Sequence, residues 1–224
     1  MQMKMVTQYA CTLVEAPMGY GKTTGVREYL KNIKVRVLWQ RLHDNSLSGF
    51  WKDFCCLFRE TDVDCYESLL EIGFPASSNA REMVLGFIQK ALPSESTVIV
   101  LDDYHLADSP EVNDFMEYLL WNELPELHIV LTARYTRLAN LDELILKGYL
   151  QHIQKDALEF TPEEIKTYYR LCGVKLQEKE IKDLYAYTEG WISALYLLML
   201  HYKEEGILTA LPNISRLIEK TVYT

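Results

Sequence analysis

Apolar residues in this chain fall into short continuous runs separated by longer stretches with helical spacing. Five runs, 11–16, 35–39, 97–101, 127–133 and 150–154, predict strands. The runs 97–101 and 129–131 are unbroken in β-branched or aliphatic residues, as strands buried on both faces of a parallel sheet require. Between them, Met83, Val84, Phe87, Ile88, Ala91 and Leu92 share one helical face. Asn79 with Glu82 is the predicted cap of that helix and Pro93 its predicted end. Val112, Phe115, Met116, Leu119 and Leu120 mark a second helix over 111–123. Strands alternating with helices predict an α/β domain built on a parallel sheet.

Beyond residue 155 the strand pattern stops. Thr161, Pro162 and Glu164 form a helix start: Thr161 as cap, Pro162 at the first helical position, Glu164 closing a capping box. Helical patterns follow over 165–172, 178–187 and 191–204, punctuated by Gly173, Gly190 and Gly206. The expected organisation is an α/β domain at 1–155 and a small helical domain at 156–208.

Composition narrows the function. Of 224 residues, 49% are hydrophobic and 25% charged, a globular balance. The net charge is −9, yet residues 1–40 carry six basic against two acidic residues, which leaves −13 for the remainder. An acidic surface disfavours nucleic acid, so no direct nucleic-acid contact is expected from this chain. A bound anion is expected near the basic start. Cys11, Cys55, Cys56, Cys65 and Cys172 are odd in number and lack a CxxC pair, which predicts free thiols in a reducing compartment. Residues 1–10 contain no long apolar run, so no secretory signal is expected. The longest apolar stretch, 191–200, contains Ser193 and is too short to span a bilayer. A cytoplasmic protein without a membrane partner is expected.

The chemistry concentrates in residues 12–24. A predicted strand leads into Ala16-Pro17-Met18-Gly19-Tyr20-Gly21-Lys22-Thr23-Thr24 and then a helix, the context of a phosphate-binding loop. Gly19 and Gly21 can turn successive N–H groups inward. The helix start adds partial positive charge. Lys22 would reach the β- and γ-phosphates of ATP or ADP, and the Thr23 hydroxyl would hold Mg2+. Ala16 stands where the usual pattern has Gly.

A second element follows. Val98-Ile99-Val100-Leu101-Asp102-Asp103-Tyr104-His105 is an apolar strand ending in two acids. Beside a phosphate loop, Asp102 is the second expected Mg2+ residue. Asp103 would polarise a water or sense the γ-phosphate; the other reading is a solvated turn. His105 is read either as packing or as a polar group at the site. Arg134 directly follows the run 127–133; if that strand lies beside the loop strand, its guanidinium comes near the γ-phosphate. Otherwise it is a surface arginine.

Together these residues resemble the nucleotide-binding module of the large ATP-dependent LuxR-type (maltose-activator-like) transcription regulators. Those are signal-transduction ATPases with numerous domains, relatives of AAA+ proteins. The loop 16–24 and Leu101-Asp102-Asp103-Tyr104-His105 carry the resemblance most specifically. Leu38-Trp39 with Asp44-Asn45 and Phe50-Trp51, Leu158-Glu159-Phe160-Thr161, and Thr188-Glu189-Gly190-Trp191 add to it. The resemblance implies a P-loop NTPase with a five-stranded parallel sheet in the order 5-1-4-3-2 and a small helical domain after it. It makes Arg134 the sensor arginine at the end of the fourth strand. It aligns Gly190-Trp191-Ile192 with a Gly-x-Pro motif near the nucleotide, Ile192 standing in place of Pro. Trp191 is thus a nucleotide contact by resemblance and helix packing by its apolar area. Residues 209–224 would begin a winged-helix domain, cut short, so a fragment or a shortened relative is expected.

The leading functional expectation is an ATP-binding switch module, in which differential contacts to the γ-phosphate favour one arrangement of the domains over another. Lys22, Mg2+ and Arg134 would stabilise charge and Asp103 would position water. An ATPase of low turnover, if active, is expected, with nucleotide-dependent self-association only in a full-length context. A P-loop small-molecule kinase uses the same loop but needs an Arg-rich lid, and between Arg134 and Arg170 the only arginine is Arg137. A non-catalytic interaction module with a relic loop is the third reading.

Overall fold

The computed structural model describes residues 6–43, 46–92 and 96–205. Lys4, Asp44-Asn45, Pro93, Gly206 and the segment 209–224, to which parts of the sequence reading refer, lie outside them.

Five strands form one sheet: β1 (Cys11–Glu15), β2 (Arg36–Arg41), β3 (Thr97–Asp102), β4 (Leu127–Ala133) and β5 (Leu150–Ile153). Every pairing is parallel and the order is β2-β3-β4-β1-β5, the expected order read from the other edge. β3 and β4 are buried throughout, which explains their unbroken aliphatic runs. β2, at an edge, is only partly covered.

The described helices are α1 (Lys22–Lys31), α2 (Leu47–Cys56), α3 (Val63–Ile72), α4 (Ser78–Ala91), α5 (Pro110–Trp121), α6 (Leu141–Leu146), α7 (Pro162–Leu171), α8 (Glu178–Thr188) and α9 (Ile192–Glu205). Two details depart from expectation. The cap of α4 is Ser77, whose side chain accepts from the Ala80 N–H, and not Asn79, which lies inside the first turn. A cap needs extended backbone two or three residues before the amide it accepts from, and Ser77 has it at φ −101° and ψ 156°. Helices α2 and α3, over 47–56 and 63–72, fall in a stretch where no helix was anticipated. They are capped by Ser46 and Asp62. The Thr161–Glu164 capping box of α7 forms as expected.

Contacts divide the described chain into two compact units. The first comprises 6–16 and 23–154; the second comprises 17–22 and 155–205. In the first, Phe50, Trp51, Phe54, Phe74 and Phe115 form an aromatic cluster with ring centroids 5.5–6.5 Å apart. The Trp51 indole N–H, buried there, donates to the Leu69 carbonyl at 3.0 Å. The second unit has its own core of Ile165, Tyr169, Val174, Leu184, Leu195, Leu198 and Met199. Tyr169 satisfies its buried hydroxyl by donating to the Leu195 carbonyl at 2.8 Å. Among the described residues no helix is long and apolar enough to cross a membrane.

Candidate functional site

β1 ends at Glu15, and the chain turns through Pro17–Gly21 into α1. Gly19 and Gly21 take φ of +81° and +74°, a region that L-residues enter at a cost. At Gly19 there is also no room: a Cβ would lie 2.6 Å from Ser193 Oγ and 2.8 Å from Trp191 Nε1. Lys22 is buried, and its Nζ donates to the Pro17 carbonyl at 2.9 Å. The loop is tied to the start of α9, because Ser193 Oγ and the Ser193 N–H both donate to the Gly19 carbonyl, at 2.9 and 3.3 Å. Ile192, in the position of the motif proline, comes near Gly21, whose added Cβ would meet its Cγ2 at 3.5 Å.

The Tyr20 and Trp191 rings stack with centroids 6.2 Å apart and planes 26° apart. Lys155 lies 5.7 Å from the Tyr20 ring centroid and pairs with Glu159 at 3.0 Å. Burial raises the Tyr20 phenol and the Lys155 charge partly opposes it. The buried Nε1 of Trp191 has no hydrogen-bond partner among the described residues.

The acidic strand is organised within the first unit. Asp102 is 2% exposed, and its Oδ1 accepts from Thr23 Oγ1 at 2.8 Å and from Thr132 Oγ1. Asp103 sits in the left-handed region at φ 60° and ψ 39°, which Asp tolerates better than most residues. Its N–H donates to Thr132 Oγ1 at 3.1 Å, and its Oδ2 accepts from Arg41 Nε at 2.9 Å. His105 is buried, with its ring 5.8 Å from that of Tyr135.

β4 does lie beside β1, pairing Ala133 with Glu15, so Arg134 leaves the sheet next to the strand that feeds the loop. Arg134 is exposed. The segment after it is held by Asn140, whose backbone and side-chain N–H groups both donate to the buried carboxylate of Glu117. Arg137 approaches Asp108 at 3.8 Å.

Sequence reasoning missed Thr132, Arg41 and Ser193. Thr132 has a visible signal, a lone hydroxyl in a strand otherwise aliphatic but for His128, two residues before Arg134. Arg41 and Ser193 have none, because their partners lie 62 and 174 residues away.

The donor set suits the expected ligands. A hydroxyl and a carboxylate meeting at Thr23 and Asp102 are hard oxygen donors, which Mg2+ takes one or two at a time alongside phosphate and water. Among the described residues no three His, Cys, Asp or Glu cluster as a metal site.

Over 203 residues the chain is 27% identical to the HTH-type transcriptional regulator MalT of Vibrio campbellii, which covers 88% of this chain and 22% of that protein. The chain therefore spans about a fifth of the length of such relatives. Its structure resembles that of a signal transduction ATPase with numerous domains, carrying a tetratricopeptide repeat sensor, from Pyrococcus horikoshii. The TM-score is 0.63 at 17% identity, covering 87% of this chain and 28% of that one. It also resembles a Walker-type ATPase of Pyrococcus abyssi, at TM-score 0.61 and 14% identity, covering 96% of this chain and 69% of that one. No family model matches the chain. Sequence and fold thus agree with the resemblance carried by the loop and the acidic strand: this chain is similar over 88% of its length to HTH-type transcriptional regulators named MalT, and its α/β fold with a five-stranded parallel sheet is that of P-loop ATPases such as the signal transduction ATPase with numerous domains.

Proposed function

We propose that this chain is the nucleotide-binding switch module of a transcription-regulator-like protein, taking ATP or ADP with Mg2+. The observation that carries the reading is the bond from Thr23, at the start of α1, to the buried Asp102 at the end of β3. It brings together the hydroxyl that follows the loop lysine and the acid of the second element. In the proposed roles, backbone N–H groups of Ala16–Thr24 receive phosphate oxygens and Lys22 exchanges the Pro17 carbonyl for them. Thr23 and Asp102 hold the metal, which when bound supplies positive charge to the phosphates. Arg134 reads the γ-phosphate, and Trp191, stacked on Tyr20, lies against the loop.

Hydrolysis, under the same reading, is slow. Asp103 would orient the attacking water, but its carboxylate is engaged by Arg41. We place the protein in the cytoplasm, with nucleotide as its direct partner, no nucleic-acid contact from this chain and self-association only in a longer context. Calorimetric titration with ATP and ADP, with and without Mg2+, tests the reading. Binding that is lost in Lys22→Ala is expected; binding that survives in Lys22→Ala overturns the assignment.

A further inference from the structure

We propose that Thr132 is the positioning residue of the acidic pair, orienting the Asp102 carboxylate for the metal and fixing the backbone that carries Asp103; the inference rests on the nucleotide reading above. Thr132 is fully buried in β4, where every neighbour along the strand is buried too. A lone hydroxyl in such a place needs partners, and it has two of opposite kind. Its Oγ1 donates to Asp102 Oδ1 and accepts from the Asp103 N–H at 3.1 Å. One side chain therefore orients the carboxylate of the first acid and pins the left-handed backbone of the second. Thr23 donates to the same Oδ1, but Thr23 belongs to the helix that follows the loop and is itself a proposed metal residue. The Thr132 bond holds Asp102 whatever Thr23 binds. Outer partners of this kind commonly set metal affinity without touching the metal.

The test titrates ADP into the parent, Thr132→Val and Thr132→Ser, each in Mg2+ and in EDTA, with melting curves alongside. Val keeps the β-branched shape and removes the hydroxyl; Ser keeps the hydroxyl. The ratio of affinity in Mg2+ to affinity in EDTA is expected to fall about 10-fold or more in Thr132→Val. It is expected to be retained in Thr132→Ser. A merely structural role would lower the melting midpoint and leave the ratio alone. If Thr132→Val does not fold, Thr132→Ala gives the same reading without a methyl facing Asp102. An unchanged ratio in a folded variant without the hydroxyl, or an equal loss in Thr132→Ser, overturns the inference while the nucleotide reading stands. Failure of the parent to bind nucleotide overturns both.

Discussion

Thr23 Oγ1 donates a 2.8 Å hydrogen bond to Asp102 Oδ1 across 79 residues of sequence. The bond joins the start of α1 to the end of β3, the two segments that carry the proposed metal residues. Asp102 is 2% exposed, so its Oδ1 finds its partners in the Thr23 and Thr132 hydroxyls and not in bulk water. Asp102→Asn keeps the shape and removes the charge. Its affinity for ADP in Mg2+ should fall about 10-fold or more, while affinity in EDTA does not fall. Equal losses in both conditions would mean that Asp102 serves the fold and not the metal.

Arg134 leaves β4 beside the strand that feeds the loop, because Ala133 pairs with Glu15. A guanidinium there would distinguish ATP from ADP through the γ-phosphate alone. Arg134→Ala should bring the two affinities together with little change in stability, since the side chain is exposed. Calorimetry that finds the parent's ATP preference intact would remove the sensor role.

Gly190 precedes Trp191 at φ +79°, and an added Cβ would sit 2.5 Å from the Phe160 carbonyl oxygen and 2.6 Å from its nitrogen. The backbone also closes there, with the Phe160 N–H donating to the Gly190 carbonyl at 2.9 Å. An L-residue pays roughly 1–2 kcal/mol for the left-handed conformation alone, and a clash with backbone adds to it. Gly190→Ala should therefore lose more than about 2 kcal/mol in urea unfolding. A near-neutral result would show that this junction relaxes freely.

The thiols give a pH prediction. Burial pushes Cys55 and Cys65 up to about 12 from 9.0, and Cys11 higher still. Below pH 9 the thiols are protonated in both states and contribute no pH dependence. Between 9 and about 12 the unfolded chain releases these protons while the folded chain keeps them, so stability falls as pH rises. Urea midpoints should decline above pH 9, and alkylation of Cys55 and Cys65 near neutrality should track unfolding. Rapid labelling of either in the folded protein would contradict their burial.

Much of this was legible in the sequence, for physical reasons that differ by element. The strands announced themselves because β3 and β4 are covered on both faces and can hold little but aliphatic residues. The turn between β1 and α1 was legible because its residues are contiguous: Gly19 and Gly21 take the positive φ the turn needs, and Lys22 and Thr23 open the helix directly after it. Asp102 was legible because it ends an apolar strand. Helix α2 was not, since Phe50, Trp51 and Phe54 are interrupted by Lys52 and Asp53 and preceded by Ser48 and Gly49, residues that read as a loop. Asn79 was mistaken for a cap because Ser, Asn and their neighbours are interchangeable by type, and only the extended backbone at Ser77 decides. Thr132 and Ser193 went unseen because each acts through a partner that only the fold brings to it.

The central claim is that the loop ending in Lys22 and Thr23 holds a nucleotide. Thermal melting of the parent and of Lys22→Ala, with and without ATP and Mg2+, tests it most directly. A ligand at about 100 times its dissociation constant adds roughly 2.7 kcal/mol, a rise of roughly 5–10 °C for a chain of this size. The account predicts that rise in the parent and none in Lys22→Ala; an unmoved midpoint in the parent at millimolar ATP and Mg2+ would contradict it.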